Sequence, residues 1–127
     1  MYSRRPELES ESAYDLLARG SRLLRDGHPH QAALVLARAK LLEPEKGSIR
    51  EALGRALLLA GRAREARREF AKAVQIDPVN DYAHFGLALA CERTGERGRA
   101  LAHLRLAVAM RPGVEDYERA LARVGRR

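Results

Sequence analysis

Apolar residues recur every three or four positions along most of this chain, which is the spacing of one face of an α-helix. The segments SIREALGRALLLA and AREARREFAKAVQI show it clearly, and both are rich in Ala, Leu, Glu and Arg. Polar segments containing glycine, namely RDGHPH, LAGRAR and RTGERG, separate such stretches. Glycine adopts the left-handed conformation that ends a helix. The pattern therefore predicts antiparallel helix pairs joined by tight turns.

The helical pattern repeats with a fixed period. Pro44, Pro78 and Pro112 lie 34 residues apart, and proline cannot continue a helix because it lacks an N–H group. A period of this length is typical of stacked repeats. The division 13–46, 47–80 and 81–114 also aligns the turn glycines Gly27, Gly61 and Gly95 and the alanines Ala32, Ala66, Ala100, Ala39, Ala73 and Ala107.

Small residues also occupy the eighth place of each repeat, as Gly20, Gly54 and Ala88. Two helices approach closely where neither presents a large side chain. We therefore expect the eighth place to face the alanine at the twentieth place, with leucines and Phe70 filling the space around that contact.

These positions, in order, resemble the tetratricopeptide repeat, whose pattern is Trp-x2-Leu-Gly-x2-Tyr, then Ala-x3-Phe and a late Pro. The first repeat departs from it, with Arg19 at the leucine place, and the tryptophan place carries Leu16, Arg50 and His84. The resemblance implies an all-α fold, a right-handed solenoid of antiparallel helix pairs with about seven helices. The matching residues are Leu53-Gly54, Leu57, Ala66, Phe70, Ala73 and Pro78 in the second repeat, and Leu87-Ala88, Cys91, Ala100, Leu104, Ala107 and Pro112 in the third.

The repeats divide the chain into a loose N-terminus at residues 1–8 and one domain at residues 9–127. Ser10 or Ser12 is suited to cap the first helix. Residues 115–125 continue the register as one further helix, which we expect to cap the apolar face of the third repeat.

Composition agrees with one globular domain: 46% of the 127 residues are hydrophobic and 32% are charged. We find no apolar run that predicts a signal sequence or a membrane span, which favours a cytoplasmic protein. The single cysteine, Cys91, excludes an intramolecular disulfide. The net charge of +7 is distributed over the three repeats and the last helix, while residues 1–12 carry −1, so it marks no single basic patch.

Few residues suggest chemistry. His28 and His30 form a His-x-His pair in the first turn, but no cysteine lies nearby in sequence, and a histidine in a turn is more often solvated than a metal ligand. His84 and Cys91 share one helix face and are interpreted as packing residues. Catalytic and phosphate-binding motifs are missing. We therefore predict a protein that is not an enzyme, with no cofactor and no metal.

A run of arginines on the second helix of the second repeat offers contacts for phosphates. Glu65 and Glu69 interrupt it, as on a solvated helix face, and no aromatic residues are interleaved for base stacking. Nucleic-acid binding is therefore kept only as the alternative function. The run comprises Arg62, Arg64, Arg67 and Arg68.

In the family, the first helix of each pair lines a concave surface that binds partners. The register places Tyr82 and Phe85 there, where the alternatives are contact with a ligand and contact with the neighbouring repeat. The register also places four further residues on or beside this concave surface: Leu24, Ser48, Glu92 and Arg123. The predicted partner-binding groove comprises Tyr14, Leu17, Ser21, Glu51, Arg55, Leu58, Tyr82, Phe85, Leu89 and Arg119.

The resemblance implies a non-catalytic adaptor, scaffold or assembly factor that holds a partner peptide or helix in this groove. The partner is expected to offer apolar anchors and a carboxylate for Arg55. Some family members clamp the C-terminal carboxylate of heat-shock chaperones with basic residues and asparagine. Here the equivalent places hold residues such as Leu17, Glu51 and Phe85, so that activity is not expected. A self-associating protein, whose groove is filled by its own copy, is a third possibility.

Overall fold

The computed structural model describes residues 11–126, and this range contains seven helices. The predicted all-α architecture of antiparallel helix pairs is confirmed. The expectations for residues 1–8 and for Ser10 lie outside the described residues. None of the described helices is long and apolar enough to cross a membrane. The helices are α1 (Ala13–Arg25), α2 (Pro29–Leu42), α3 (Gly47–Leu59), α4 (Ala63–Ile76), α5 (Asp81–Arg93), α6 (Arg97–Met110) and α7 (Glu115–Gly125).

The three turns inside the helix pairs have one geometry. Gly27, Gly61 and Gly95 each have φ of 82°, the left-handed conformation predicted for them. The residue after each glycine donates its N–H to a carbonyl oxygen of the last helical turn, as from His28 to Leu23 at 2.8 Å. These carbonyls would otherwise lack partners at the helix end. The turns therefore fix how each second helix folds back on its first.

Two of the first helices begin at a side-chain cap. Ser12 Oγ accepts a hydrogen bond from the Asp15 N–H at 3.0 Å, and the Asp15 carboxylate accepts one from the Ser12 N–H at 3.1 Å. Asn80 Oδ1 accepts from the Ala83 N–H at 3.0 Å at the start of α5. Of the two serines considered for the first cap, Ser12 forms it.

The structure corrects the predicted partner of the small residues at the eighth place. A methyl group added to Gly20 would lie 2.6 Å from Leu36, and one added to Gly54 would lie 2.9 Å from Phe70. Leu36 and Phe70 occupy the twenty-fourth place, not the twentieth. The glycines therefore receive a large side chain from the second helix, and the alanines of the twentieth place are buried beside this contact.

The helix pairs stack so that the first helices touch one another, whereas the second helices of successive pairs stand further apart. The first helices therefore line the inner, concave side and the second helices the outer, convex side. At the end of the stack, α7 packs on α6 and buries Tyr117, Ala120 and Val124. Tyr117 donates a hydrogen bond to Asp81 Oδ2 at 2.6 Å, which ties α7 to the start of α5.

Candidate functional site

Two cavities lie on the concave face formed by the first helices. The first has a volume of about 390 Å³ and lies between α1, α3 and α5; the second has a volume of about 370 Å³ and lies between α5 and α7. We call them the first and second groove cavity. The first is lined by Leu17, Ser21, Leu24, Ser48, Glu51, Ala52, Arg55 and Tyr82, and the second by Phe85, Leu89, Asp116, Arg119, Ala120, Arg123 and Arg126.

Eight of the ten predicted groove residues line one of these cavities. Tyr14 lies outside both, with 72% of its surface exposed. The expectation for Leu58 needs correction, because only 7% of its surface is exposed and its side chain belongs to the core. Helix α5 covers it: Arg93 Nη1 donates a hydrogen bond to the Leu58 carbonyl oxygen at 3.0 Å. Leu58 therefore offers almost no surface to a ligand.

Three aromatic rings separate the two cavities. The ring centroids of Tyr82 and Phe85 lie 6.2 Å apart, and those of Phe85 and Tyr117 lie 4.7 Å apart. Phe85 therefore packs against the neighbouring helix α7 and also lines the second groove cavity, so both positions expected for its side chain are met. Burial raises the pKa of Tyr82, which keeps its hydroxyl a hydrogen-bond donor at neutral pH.

The first groove cavity carries one carboxylate and one guanidinium group. Glu51 Oε2 accepts a hydrogen bond from Asn80 Nδ2 at 2.6 Å, so the carboxylate is held by the residue that caps α5. Arg55 is exposed and forms no ion pair or hydrogen bond with any residue of the range 11–126. Its guanidinium group is therefore available to an incoming carboxylate.

The second groove cavity is more basic. Arg119 donates to Glu115 at 2.7 Å and to Asp116 at 2.8 Å, and Arg123 forms an ion pair with Glu92. These pairs hold the arginine side chains of α7 along the edge of the cavity, beside the apolar surface of Phe85 and Leu89. The cavity thus combines an apolar wall with a positively charged rim.

Sequence reasoning missed Ala52, Asp116, Ala120 and Arg126 as lining residues. Ala52 follows Glu51 on α3 and is half-buried at the side of the first groove cavity. The other three residues, on or beside α7, line the cavity because of the orientation in which α7 packs on α6. The buried side chains of Tyr117 and Val124 determine that orientation. The spacing of those apolar residues on α7 is the signal that could have indicated its inner face.

In the third repeat, the tryptophan place holds a buried histidine that pairs with a second histidine. His84 Nε2 lies 2.8 Å from the Pro78 carbonyl oxygen, and His84 Nδ1 lies 2.9 Å from His103 Nδ1. Because a carbonyl only accepts, His84 carries its proton on Nε2 and His103 donates from Nδ1. Burial, His84 and Arg99 lower the pKa of His103. Sequence reasoning missed His103, although it follows His84 by 19 residues on the facing helix.

Neither histidines nor the cysteine form a reactive cluster in the described range. Residues 11–126 contain no group of three or more His, Cys, Asp or Glu placed to hold a metal ion. Cys91 is fully buried, and burial raises the pKa of its thiol, which disfavours the reactive thiolate. His84 and Cys91 thus lie in the core, as their interpretation as packing residues requires.

Two arginines of the outer run are engaged with acidic side chains. Arg62 pairs with Glu65 at 2.7 Å, and Arg67 reaches across to Glu96 of the third pair. Arg64 and Arg68 are exposed. The outer face therefore shows alternating charge rather than a continuous row of free guanidinium groups for phosphates.

Comparison with known proteins agrees with this architecture. Two family models, each described as tetratricopeptide repeat, match residues 57–124 and 17–81. Among curated proteins, "Superkiller complex protein 3" from Mus musculus is 32% identical over 109 residues, covering 86% of this chain. The chain spans only 7% of that relative's length.

Solved structures share the fold at lower identity. The "First TPR of Spaghetti (RPAP3) bound to HSP90 peptide SRMEEVD" has a TM-score of 0.86 and 14% identity, covering 92% of this chain and 93% of that one. MamA has a TM-score of 0.87 and 18% identity, covering 95% of this chain and 71% of that one. YrrB, described as "a TPR protein with an unusual peptide-binding site", has a TM-score of 0.80 and 24% identity, covering 87% and 57%. With each of the two family models matching more than half of the sequence, the chain belongs to the tetratricopeptide repeat family.

Proposed function

We propose that this chain is a non-catalytic protein-interaction module, acting as an adaptor, scaffold or assembly factor that holds a partner peptide or helix in its concave groove. The observation that carries the proposal is the pair of groove cavities on either side of Tyr82 and Phe85. Relatives of the same fold support it, since one is described with a bound HSP90 peptide and another with a peptide-binding site. A cytoplasmic location stays a prediction.

The chemistry of the groove indicates the kind of partner. Apolar surface from Leu17, Leu24 and Leu89 suits aliphatic or aromatic anchors, and Arg55 suits a carboxylate. The helices hold these groups in place before the partner arrives, which lowers the entropic cost of binding. The partner is therefore a segment with apolar side chains and at least one acidic side chain.

Affinity capture from cell extract, followed by mass spectrometry, tests the proposal. Arg55→Glu reverses the free charge in the first groove cavity and should remove the captured partner without changing the fold, because Arg55 is exposed and unpaired in the described range. Arg64→Glu makes the same charge change on the exposed outer face and should retain the partner. Equal capture by both variants would refute the groove proposal.

Salt dependence separates this function from nucleic-acid binding. Phosphate contacts release counterions, so a nucleic-acid complex weakens steeply as salt rises. A groove complex built on Phe85, Leu89 and a single carboxylate contact with Arg55 should weaken only slightly. Phe85→Ala should also weaken the complex while circular dichroism reports unchanged helicity. Sedimentation of the purified chain checks whether a second copy, rather than another protein, fills the groove.

A further inference from the structure

A hollow on the convex face lies opposite the groove. It has a volume of about 260 Å³ and lies between α2 and α4, the second helices of the first two pairs. Its apolar wall consists of Leu53 and Leu57 from below and Ala33 and Ala37 from the side. Leu34 stands beside it with 70% of its surface exposed. We call this site the outer hollow.

The corresponding position between α4 and α6, one repeat later, differs from the outer hollow. Between α4 and α6, the place of Ala33 is taken by Arg67, 34 residues later. Arg67 spans the two helices, donates to Thr94 Oγ1 at 3.0 Å and forms an ion pair with Glu96. At the outer hollow the same place holds Ala33, whose methyl group cannot reach across the two helices. The two joints between successive second helices therefore differ at this place.

The charge at the mouth of the outer hollow is also reversed. The place of Glu96 is occupied by Arg62, whose guanidinium group turns to Glu65 instead. Of the charged residues around the hollow, three are basic (Lys40, Arg62 and Arg68) and two are acidic (Glu65 and Glu69).

The acidic groups around the hollow are already engaged. Glu69 accepts from Lys40 at 2.9 Å and from Arg50 at 3.0 Å, and Glu65 pairs with Arg62. Arg68 is exposed and has no ion pair within residues 11–126. A ligand that fits the outer hollow should therefore present an aliphatic side chain and a carboxylate. Its charge is opposite to that of Arg67, which occupies the corresponding place between α4 and α6.

We propose that the outer hollow is a second docking site, which takes an acidic segment of a partner protein. The segment places one aliphatic side chain against Leu34 and Ala37, which expose apolar surface at the hollow, and a carboxylate beside Arg68. The site goes beyond the proposed concave groove, because it lies on the opposite face and shares none of its lining residues. The chain can therefore join two partners at once.

The test titrates the full chain with an acetylated and amidated ten-residue peptide that contains one leucine flanked by glutamates. Methyl resonances of Ala33, Leu34, Leu53 and Leu57 are followed by NMR. We expect these methyls to shift at millimolar peptide, as for a single-side-chain site. A peptide with glutamine for the glutamates should bind about threefold more weakly, the scale of one exposed charge contact. A peptide with alanine for leucine should also bind more weakly, because it buries less apolar surface.

A double variant supplies the decisive control. Ala33→Arg combined with Arg62→Glu rebuilds in the outer hollow the pair that Arg67 and Glu96 form at the next step, and it should abolish the shifts while the chain stays folded. Arg68→Gln leaves the hollow open and should weaken binding about threefold, as removal of one exposed charge contact does.

Arg55→Glu, in the groove, should have no effect on peptide binding at the outer hollow. Shifts confined to groove residues, the absence of shifts, or unchanged binding by the double variant or by Arg68→Gln would each overturn the proposal. If the peptide does not bind at the outer hollow, the affinity capture with Arg55→Glu still tests the concave groove. The two proposals can therefore fail independently.

Discussion

The place where the family pattern has tryptophan holds three different side chains, each paired with the residue 19 positions later. Leu16 and Val35 belong to one apolar cluster in the first repeat. Arg50 donates to Glu69 at 3.0 Å in the second, and His84 meets His103 at 2.9 Å in the third. An apolar, an ionic and an imidazole pair thus close the same gap between the two helices of a repeat.

The two polar pairs share a further contact that explains why they are tolerated. Arg50 Nε donates to the Pro44 carbonyl oxygen at 2.9 Å, and His84 Nε2 donates to that of Pro78 at 2.8 Å. Each side chain therefore satisfies the carbonyl of the proline that ends the preceding repeat. A buried polar group with all its partners in place costs little, whereas leaving one unpaired is expensive.

His103 makes stability depend on pH. Because the pKa of His103 in the folded chain lies below its ordinary value of 6.5, the unfolded chain binds more protons. The contribution of neutral His103 to the free energy of unfolding is present above about pH 6.5. It is lost as the pH falls through the lowered pKa of His103 in the folded chain. We expect the free energy of unfolding, measured with urea, to be smaller at about pH 5.5 than at about pH 7.5.

His103→Gln should reduce that difference between the two pH values, because glutamine can still donate to His84 but does not titrate. His28→Gln is the matched control, since His28 is exposed in a turn and its side chain makes no capping hydrogen bond. A pH difference that is the same in the wild type and in both variants would exclude His103 as its source.

At the scale of the elements, one aromatic side chain joins two helix pairs. Phe70 on α4 is 1% exposed and packs against Gly54 of its own pair. It also lies against Gly86 of α5, where an added methyl group would overlap the ring far inside van der Waals contact. Glycine on both sides lets a phenylalanine fill the joint between the second and third pairs.

Gly86→Ala should destabilise the chain by about 1–3 kcal/mol, because the Phe70 ring must move within a packed joint. The measurement is urea unfolding followed by circular dichroism. Gly98→Ala is the control: Gly98 also lies in a helix, but nothing is within 4 Å of an added methyl group there. It should be neutral or stabilising by about 0.5 kcal/mol, as alanine favours helices. The opposite order would contradict the packing argument.

These elements show which features the sequence could predict. The proline spacing and turn glycines are local signals with a fixed backbone meaning, so the seven helices and their pairing followed from them. Phe70 was expected beside Gly54 but not directly against it, because the twentieth and twenty-fourth places lie about one turn apart on one helix face. Which of them meets glycine depends on how the helices cross.

The residues that line the groove could be predicted only in part. Helical register assigned Leu17, Arg55 and Phe85 to the inner face, and they line its cavities. Leu58 shares that register but lies under α5, and burial by a neighbouring repeat cannot be read from one helix. His103 was missed because its partner lies on another helix. Placing Glu69 on a solvated face was wrong for the same reason, since Arg50 of α3 and Lys40 of α2 hold its carboxylate and it is buried.

At the scale of the molecule, each helix pair contacts only its neighbours, so stability is distributed along the stack. The central helices α3, α4 and α5 are covered on both sides, whereas α7 packs mainly on α6 and is tied to α5 through Tyr117. Arg97 adds a hydrogen bond to the Val124 carbonyl oxygen at 3.1 Å near the end of α7. Within the described residues, the end of the groove formed by α7 is therefore covered on one side only.

Native-state hydrogen exchange should reveal this gradient, with the slowest amide exchange in α3, α4 and α5 and faster exchange in α7. Tyr117→Phe keeps the ring against Phe85 but removes the hydrogen bond to Asp81, at a cost of about 1 kcal/mol. Exchange in α7 should then accelerate about fivefold while α1 and α2 stay unchanged, because the loss is confined to one end of the stack. Tyr14→Phe, at an exposed tyrosine on α1, should alter no rate. Equal acceleration in every helix would show instead that the chain opens as one cooperative unit, with the second groove cavity as stable as the core.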